Sequence, residues 1–376
     1  MLKHKNPEHL YFYLLLLLFF MLAHTEGACA QNDSISEKPY YFYKGYKYGS
    51  QSEFNPLTYI INSSYDIYQL TESDRRVFKF PYASSTANVF WNLGHPGKAI
   101  GEVGWWKFTR TELFPLTFNS EGAQWVPNYL LHVIGGGMSY TTLSEWYRFN
   151  NVKQPKALSV ITLMAGEFLN ETMENNGYKG SNSDPIPDVY IFSLAGVALY
   201  SSEKVNSFFS LKLHMADWSL QPSITFTDYA LHNCGQFYAF KWEMPFEHRL
   251  SLFTRLGMGS LAGVSWKFQN GDAVSVGAGV KSGKRYLLSE KARQVGITTP
   301  FSIGAFYDRN NSLLASIQVS DVSDYFINAN VYPGLLRIGA FSPGMWAVFD
   351  KKGNPTLGIA TRYTLGTGIG YNFRKP

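Results

Sequence analysis

The chain has 376 residues and a net charge of +5, with 16% charged and 16% aromatic residues. That length holds one large domain or two ordinary ones, and the slight positive balance, with no Lys/Arg cluster, excludes a nucleic-acid footprint. Charged residues are scarcer than the ~25% of a usual soluble domain, while 28 Phe, 25 Tyr, 9 Trp and 33 Gly suit a membrane barrel with aromatic girdles.

Lys3, His4 and Lys5 precede an apolar run over 10–22, and Ala28-Cys29-Ala30 then offers a small-x-small cleavage site. This layout predicts a secretory signal over 1–30; the apolar run is short for a full membrane span. Its removal leaves Cys234 alone, without an internal disulfide or a cysteine-based metal site in the mature chain. Residues 31–84 are rich in Tyr and broken by Ser, Asn, Gly and Pro, which reads as an extended lead-in with short strands around 65–70 and 76–80. A turn at His95-Pro96-Gly97 separates two segments, after which Trp105, Trp106 and Phe108 read as packing or interface aromatics and Glu102 as solvated or structural.

A helical segment is expected over 85–205. Tyr129, Leu130, Val133, Ile134 and Met138 recur at helical spacing, giving a helix over 126–150 with Pro127 in its first turn. Each of Gly135, Gly136 and Gly137 lowers helix propensity by about 1 kcal/mol relative to Ala, so three together indicate close backbone packing or a break. A second helix runs over 155–176, from Pro155 to the stop at Asn175-Asn176-Gly177, and a third over about 187–201. No segment has the run of about 18 apolar residues that would halt it in the inner membrane.

From residue 206 onward the period switches to two. Val274, Val276, Ala278 and Val280 alternate with Ser275, Gly277 and Gly279, and Leu313, Ala315, Ile317 and Val319 alternate with Leu314, Ser316, Gln318 and Ser320. Tyr325, Ile327, Ala329 and Val331 face away from Asn328 and Asn330, and Leu365, Ile369, Tyr371 and Phe373 share a face near the end. Turn material lies at 269–272, 308–311 and 351–354. A soluble calyx hides its apolar face and needs charge outside, whereas a membrane barrel shows that face to lipid and fills its lumen with small polar groups. Here the other face is small and uncharged. The expected fold is α+β and β-rich: an antiparallel transmembrane β-barrel of roughly 10–12 strands over 206–376, with about three associated helices.

Polar residues stand out inside the apolar helices: Asn128, His132, Glu145, Glu167, Glu171, Glu174, Asp184 and Asp188. Glu167, Glu171 and Glu174 share one helix face at i, i+4 and i+7, where like charges repel unless a metal, a histidine or protonation compensates. Carboxylates near a histidine could hold a divalent cation or run acid–base chemistry. The same residues also fit a solvated helix face, a hydrogen-bonded core histidine and a turn at 184–188 in which Asp188 caps the third helix. His214, His232 and His248 carry no recognisable spacing.

At these residues the chain resembles an uncharacterised Gram-negative envelope family, domain-of-unknown-function family 3943. Asn128, His132, Gly136 and Tyr140 match its Asn-His-Gly-Tyr pattern, followed by Glu167-Phe168, Glu171, Ser181-Asn182-Ser183-Asp184 and Gly196. Val133 stands where a proline is usual and Gly166 where a tryptophan is. The match covers about 55–203 and implies an envelope protein with helices beside a barrel, with no assigned reaction. The leading expectation is a bacterial outer-membrane barrel, exported by a cleaved signal, with helices plugging or abutting it and a structural or transport-related role. The alternatives are an envelope lipid or glycan hydrolase using His132, Glu171 and Asp184, supported by Asn128, Glu167, Glu174 and Asp188, and an aromatic ligand-binding module. Membrane lipid and an envelope lipid or glycan are the expected partners.

Overall fold

The computed structural model describes residues 39–115, 126–289 and 294–373; the signal segment read over 1–30 lies outside the described residues. Helix begins within the lead-in. The Asn55 side chain accepts from the N–H groups of Leu57 (3.0 Å) and Thr58 (2.9 Å), and Pro56 follows it. An N-cap and a first-turn proline thus start α1, Pro56–Ser64. The strands expected around 65–70 and 76–80 are instead short 3-10 turns, Asp66–Gln69 and Val77–Lys79. Tyrosines favour strands only through what they pack against, and here Tyr59 and Tyr68 are buried in clusters with helical residues.

The other long helices are α2 (Tyr82–Gly94), α3 (Pro96–Val103), α4 (Gly136–Phe149), α5 (Pro155–Asn175) and α6 (Ser193–Tyr200). Wider π-type turns lead into two of them: Val126–Gly135 runs into α4, and Asp188–Phe192 into α6. The three helices read over 126–150, 155–176 and 187–201 are present. The total is nonetheless larger than three, because α1, α2 and α3 precede them. Tyr59 and Ile60 of α1, Met138, Leu143 and Tyr147 of α4, Leu163 of α5 and Tyr200 of α6 share one buried cluster. Fully burying such a side chain contributes about 1.5–3 kcal/mol.

Fifteen strands follow among the described residues. They are β1 (Ala216–Asp217), β2 (Ser223–Thr225), β3 (Leu231–His232), β4 (Phe237–Met244), β5 (Glu247–Gly257), β6 (Gly259–Lys267), β7 (Asp272–Lys281) and β8 (Arg285–Ser289). After these come β9 (Gln294–Ile297), β10 (Phe301–Arg309), β11 (Ser312–Ser320), β12 (Ile327–Val331), β13 (Gly344–Phe349), β14 (Pro355–Ala360) and β15 (Gly368–Asn372). Thirteen form one sheet in the order β1-β4-β5-β6-β7-β10-β11-β12-β13-β14-β15-β2-β3, while β8 and β9 form a separate hairpin. Pairing is antiparallel except between β15 and β2. The sheet exceeds the 10–12 strands expected because β1, β2 and β3 have only two or three residues, too few to show alternation.

One face of the sheet is exposed and apolar, and the other is buried and mixed, with Ala239, Phe253, Leu261, Phe306, Trp346 and Val348 among its serines and asparagines. Trp242, Leu252, Val264 and Val276 lie in register across β4 to β7. Ala305, Ile317, Ala329, Ala347, Leu357 and Tyr371 continue the row to β15. No member is charged, and Trp242, Leu252, Val264, Val276, Ile317, Leu357 and Tyr371 are exposed. One residue further along, Ser251, Ser265, Ser275, Phe306, Ser316, Asn330 and Trp346 form a parallel row of buried side chains. Tyr325 departs from its expected face: β12 starts two residues after it, and its ring is buried.

Other parts of the chain cover this polar face. The Ser312 hydroxyl donates to Tyr48 O at 2.9 Å, Asn233 Nδ2 donates to Asn330 Oδ1 at 2.8 Å, and Arg75 pairs with Asp324 at 3.0 Å. On the opposite face Tyr238 of β4 joins the helical cluster, its hydroxyl 2.9 Å from Ser139 Oγ. The helices therefore seat against β4 on the face that carries the exposed apolar row.

Candidate functional site

Close helix contacts place His132. A Cβ on Gly196 would lie 2.7 Å from Val133 O and 3.0 Å from His132 O, and one on Gly137 would lie 2.8 Å from Gly196 O. Glycine at both positions lets α6 approach His132, Val133 and α4 this closely; of the triplet, Gly137 serves close packing, Gly136 has room, and the wider turn gives way to α4 between Gly135 and Gly136. Gly166 does the same between α5 and α1, where a Cβ would meet Ser63 Oγ at 2.7 Å. Ser64 Oγ donates across that contact to Gly166 O at 3.0 Å.

His132 Nδ1 lies 2.9 Å from Glu167 Oε2 on α5, and His132 Nε2 lies 3.8 Å from Asp188 Oδ2 at the start of the stretch leading into α6. Glu167, Glu171 and Asp188 are buried, so the glutamate row faces inward and is no solvated surface. Asp188 makes no capping hydrogen bond; its carboxylate turns to the histidine instead, because residues 184–188 are already helical in backbone. Its Oδ1 is buried without a hydrogen-bond partner. Asn128 donates to Glu112 O at 2.8 Å and so ties the 109–113 turn to this region.

Charge and burial work against each other here. Burial alone would lower the His132 pKa, but the carboxylates of Glu167 and Asp188 outweigh it and push it up to about 10. Burial raises Glu171 well above the usual carboxylate range, aided by Asp188, Asp184, Glu174 and Glu167. Asp188 is likewise raised by burial, against the opposing pull of His132. Glu112, half-buried and close to Asp184, is raised to about 8 by desolvation and that carboxylate. Asp66, half-buried and near Glu174, also reaches about 8. The group holds fewer negative charges at neutral pH than its composition suggests, and several members titrate within reach of one another.

Of the three residues expected to act together, His132 contacts neither Glu171 nor Asp184 directly; Glu167 and Asp188 take those places. Glu171, Asp184 and Glu174 belong to the surrounding electrostatic group. Glu145 stands apart: it is buried, and its carboxylate accepts the N–H groups of Tyr41, Phe42 and Tyr43 at 2.5, 2.8 and 2.7 Å, anchoring the start of the described chain. Glu102 is exposed on an open cleft with Trp91 and Lys98. Glu112 and Asp66 were missed, since neither sits in a periodic run; only the fold brings them near. Among the described residues, no group of three or more His, Cys, Asp or Glu side chains is arranged to hold a metal ion.

What the arrangement can do is accept, hold and pass protons: an imidazole is fixed by one carboxylate on Nδ1 and faced by another on Nε2. A scan against family models, a search of curated proteins and a search of solved structures each found no match to this chain.

Proposed function

We propose that the protein is an outer-membrane β-barrel of the bacterial envelope, with its helices abutting the barrel wall beside β4 and a structural or transport-related role. The observation that carries this reading is the exposed, uncharged apolar row on one face of the sheet, opposite a buried row of four serines, Asn330, Phe306 and Trp346. Water would penalise that outer row, whereas acyl chains would not. Closure into a barrel is supported by the strand order: β1 lies at one edge and β2 next to the other, yet residues 218–222 alone separate them in sequence. Because segments near Tyr48, Arg75 and Asn233 fill the inner face, the role is not free diffusion through an open lumen. Membrane fractionation with gel mobility before and after heating tests the reading; an unboiled protein that runs no differently and stays in the soluble fraction would contradict it.

A second reading rests on His132. Held by Glu167 and faced by Asp188, it is placed to act as a general base or acid in an envelope lipid or glycan hydrolase. Release of fatty acid or reducing sugar from purified envelope lipids and glycans, lost on His132→Gln, would support it. No release by the wild-type protein would remove it.

A further inference from the structure

We infer that the inner face of the sheet holds a binding site for a phosphate-type oxyanion, built on Arg255 and Lys281. Both side chains are only 2% exposed. Two other buried charges on the sheet are matched: Lys241 pairs with Asp308 at 2.5 Å, and Asp272 is met by Arg309 at 2.6 Å. Arg255 and Lys281 have no carboxylate partner among the described residues. Arg255 uses one of its five donors, to Gln318 Oε1 at 3.2 Å, and its Nε is buried without any acceptor. Its guanidinium carbon lies 3.5 Å from the centre of the Phe237 ring, and Lys281 Nζ lies 4.9 Å from that of Tyr325. Ring faces orient a cation but supply no hydrogen-bond acceptor. A third cation, Arg75, sits 4.9 Å from the same Tyr325 ring and brings only its own counter-ion, Asp324.

Strand register puts the two residues on one face, two strands and two residues apart. Arg255 pairs with Leu261, Leu261 with Gly279 and Gly279 with Ser302, while Lys281 stands two residues beyond Gly279 on the same face. The buried Leu261 separates Arg255 from Gly279, which adds no side chain, and Ser302 accepts from Gln318 Nε2 at 2.8 Å, tying the acceptor of Arg255 to the same face. Removing two neighbouring charges from water without a counter-charge is costly. An anion restores the balance that the sequence leaves open. The planar fork of arginine with a lysine favours a tetrahedral oxyanion over chloride. The site depends on the inner face alone and stands apart from the membrane reading.

The test uses the full chain in detergent, with inorganic phosphate, sodium chloride at equal ionic strength, and dihexanoyl phosphatidate below its micelle concentration as probes. Phosphate at a hundredfold excess over its Kd should raise the unfolding temperature by about 5 °C relative to chloride. Arg255→Gln and Lys281→Met should each weaken phosphate binding at least about tenfold, read by equilibrium dialysis. A response to free phosphate assigns a free-anion site, and a response to phosphatidate alone assigns a headgroup site; either supports the inference. It is overturned if neither probe acts, or if both variants respond as the wild type does. A Lys281→Met protein that is more stable in every buffer, beside a wild type that ignores phosphate, would mark the charge as merely uncompensated.

Discussion

His132 Nδ1 stands 2.9 Å from Glu167 Oε2, joining the glycine-rich stretch before α4 to the middle of α5. The contact makes the histidine's charge a property of its neighbour. Glu167→Gln should therefore bring the His132 pKa down from about 10 towards its ordinary value. Histidine ring signals followed by NMR from pH 5 to about 10 would show it. An unchanged titration would mean that Asp188 alone sets the charge.

Stability should fall as pH rises. For His132 the folded value is raised, so its contribution is complete below its ordinary 6.5 and is lost as pH climbs through about 10. Glu112 and Asp66 are raised to about 8 by burial, so theirs are complete below about 4 and lost between there and about 8. Thermal unfolding should show the unfolding temperature declining from pH 5 to about 8, above which the buried Lys281, lowered to about 7, opposes His132. A rise over that range would mean that the carboxylates are stabilised in ionised form.

Gly196→Ala should cost about 1–3 kcal/mol, because its methyl group would press on Val133 O and His132 O. Since α6 would be pushed away from the 126–135 stretch, Asp188 should lose its hold on His132 and the histidine pKa should fall. Chemical denaturation together with the same NMR titration reads both effects. A stable variant with an unmoved titration would show that the contact is looser than the backbone distances indicate.

Glu145→Ala should release the chain around Tyr41, Phe42 and Tyr43, leaving three N–H groups without their shared acceptor. A loss of about 3 kcal/mol is expected for buried donors orphaned in this way, with new protease cleavage near residue 45. Resistance equal to that of the wild type would show that packing alone holds the segment.

The sheet was legible wherever strands are long enough to alternate. Val274 to Val280 and Ile369 to Phe373 show their outward faces directly in sequence. β1 to β3 are too short to carry a period, and α1 hid inside a tyrosine-rich run despite the Asn55-Pro56 start signal. Of the site, the shared helix face of Glu167 and Glu171 followed from their spacing, while its inward direction did not, since a solvated face has the same spacing. The partner of His132 did not, because which carboxylate a ring meets depends on how α5 and α6 cross. That crossing is set by Gly137, Gly166 and Gly196, whose meaning lies in what approaches them. Glu145 looked like a site residue because a buried carboxylate facing backbone N–H groups cannot be told in sequence from one facing a ligand.

Whether the outer row meets acyl chains is measured most directly by nitroxide labels at Val264, Val276 and Leu357, against Ser265 and Ser275, in a Cys234→Ser protein reconstituted in lipid vesicles. Labels at the first three should be relaxed strongly by oxygen and weakly by a water-soluble nickel complex, and labels at the two serines should not. Preferential relaxation of the Val264, Val276 and Leu357 labels by the nickel complex would place that row in water and contradict the membrane assignment.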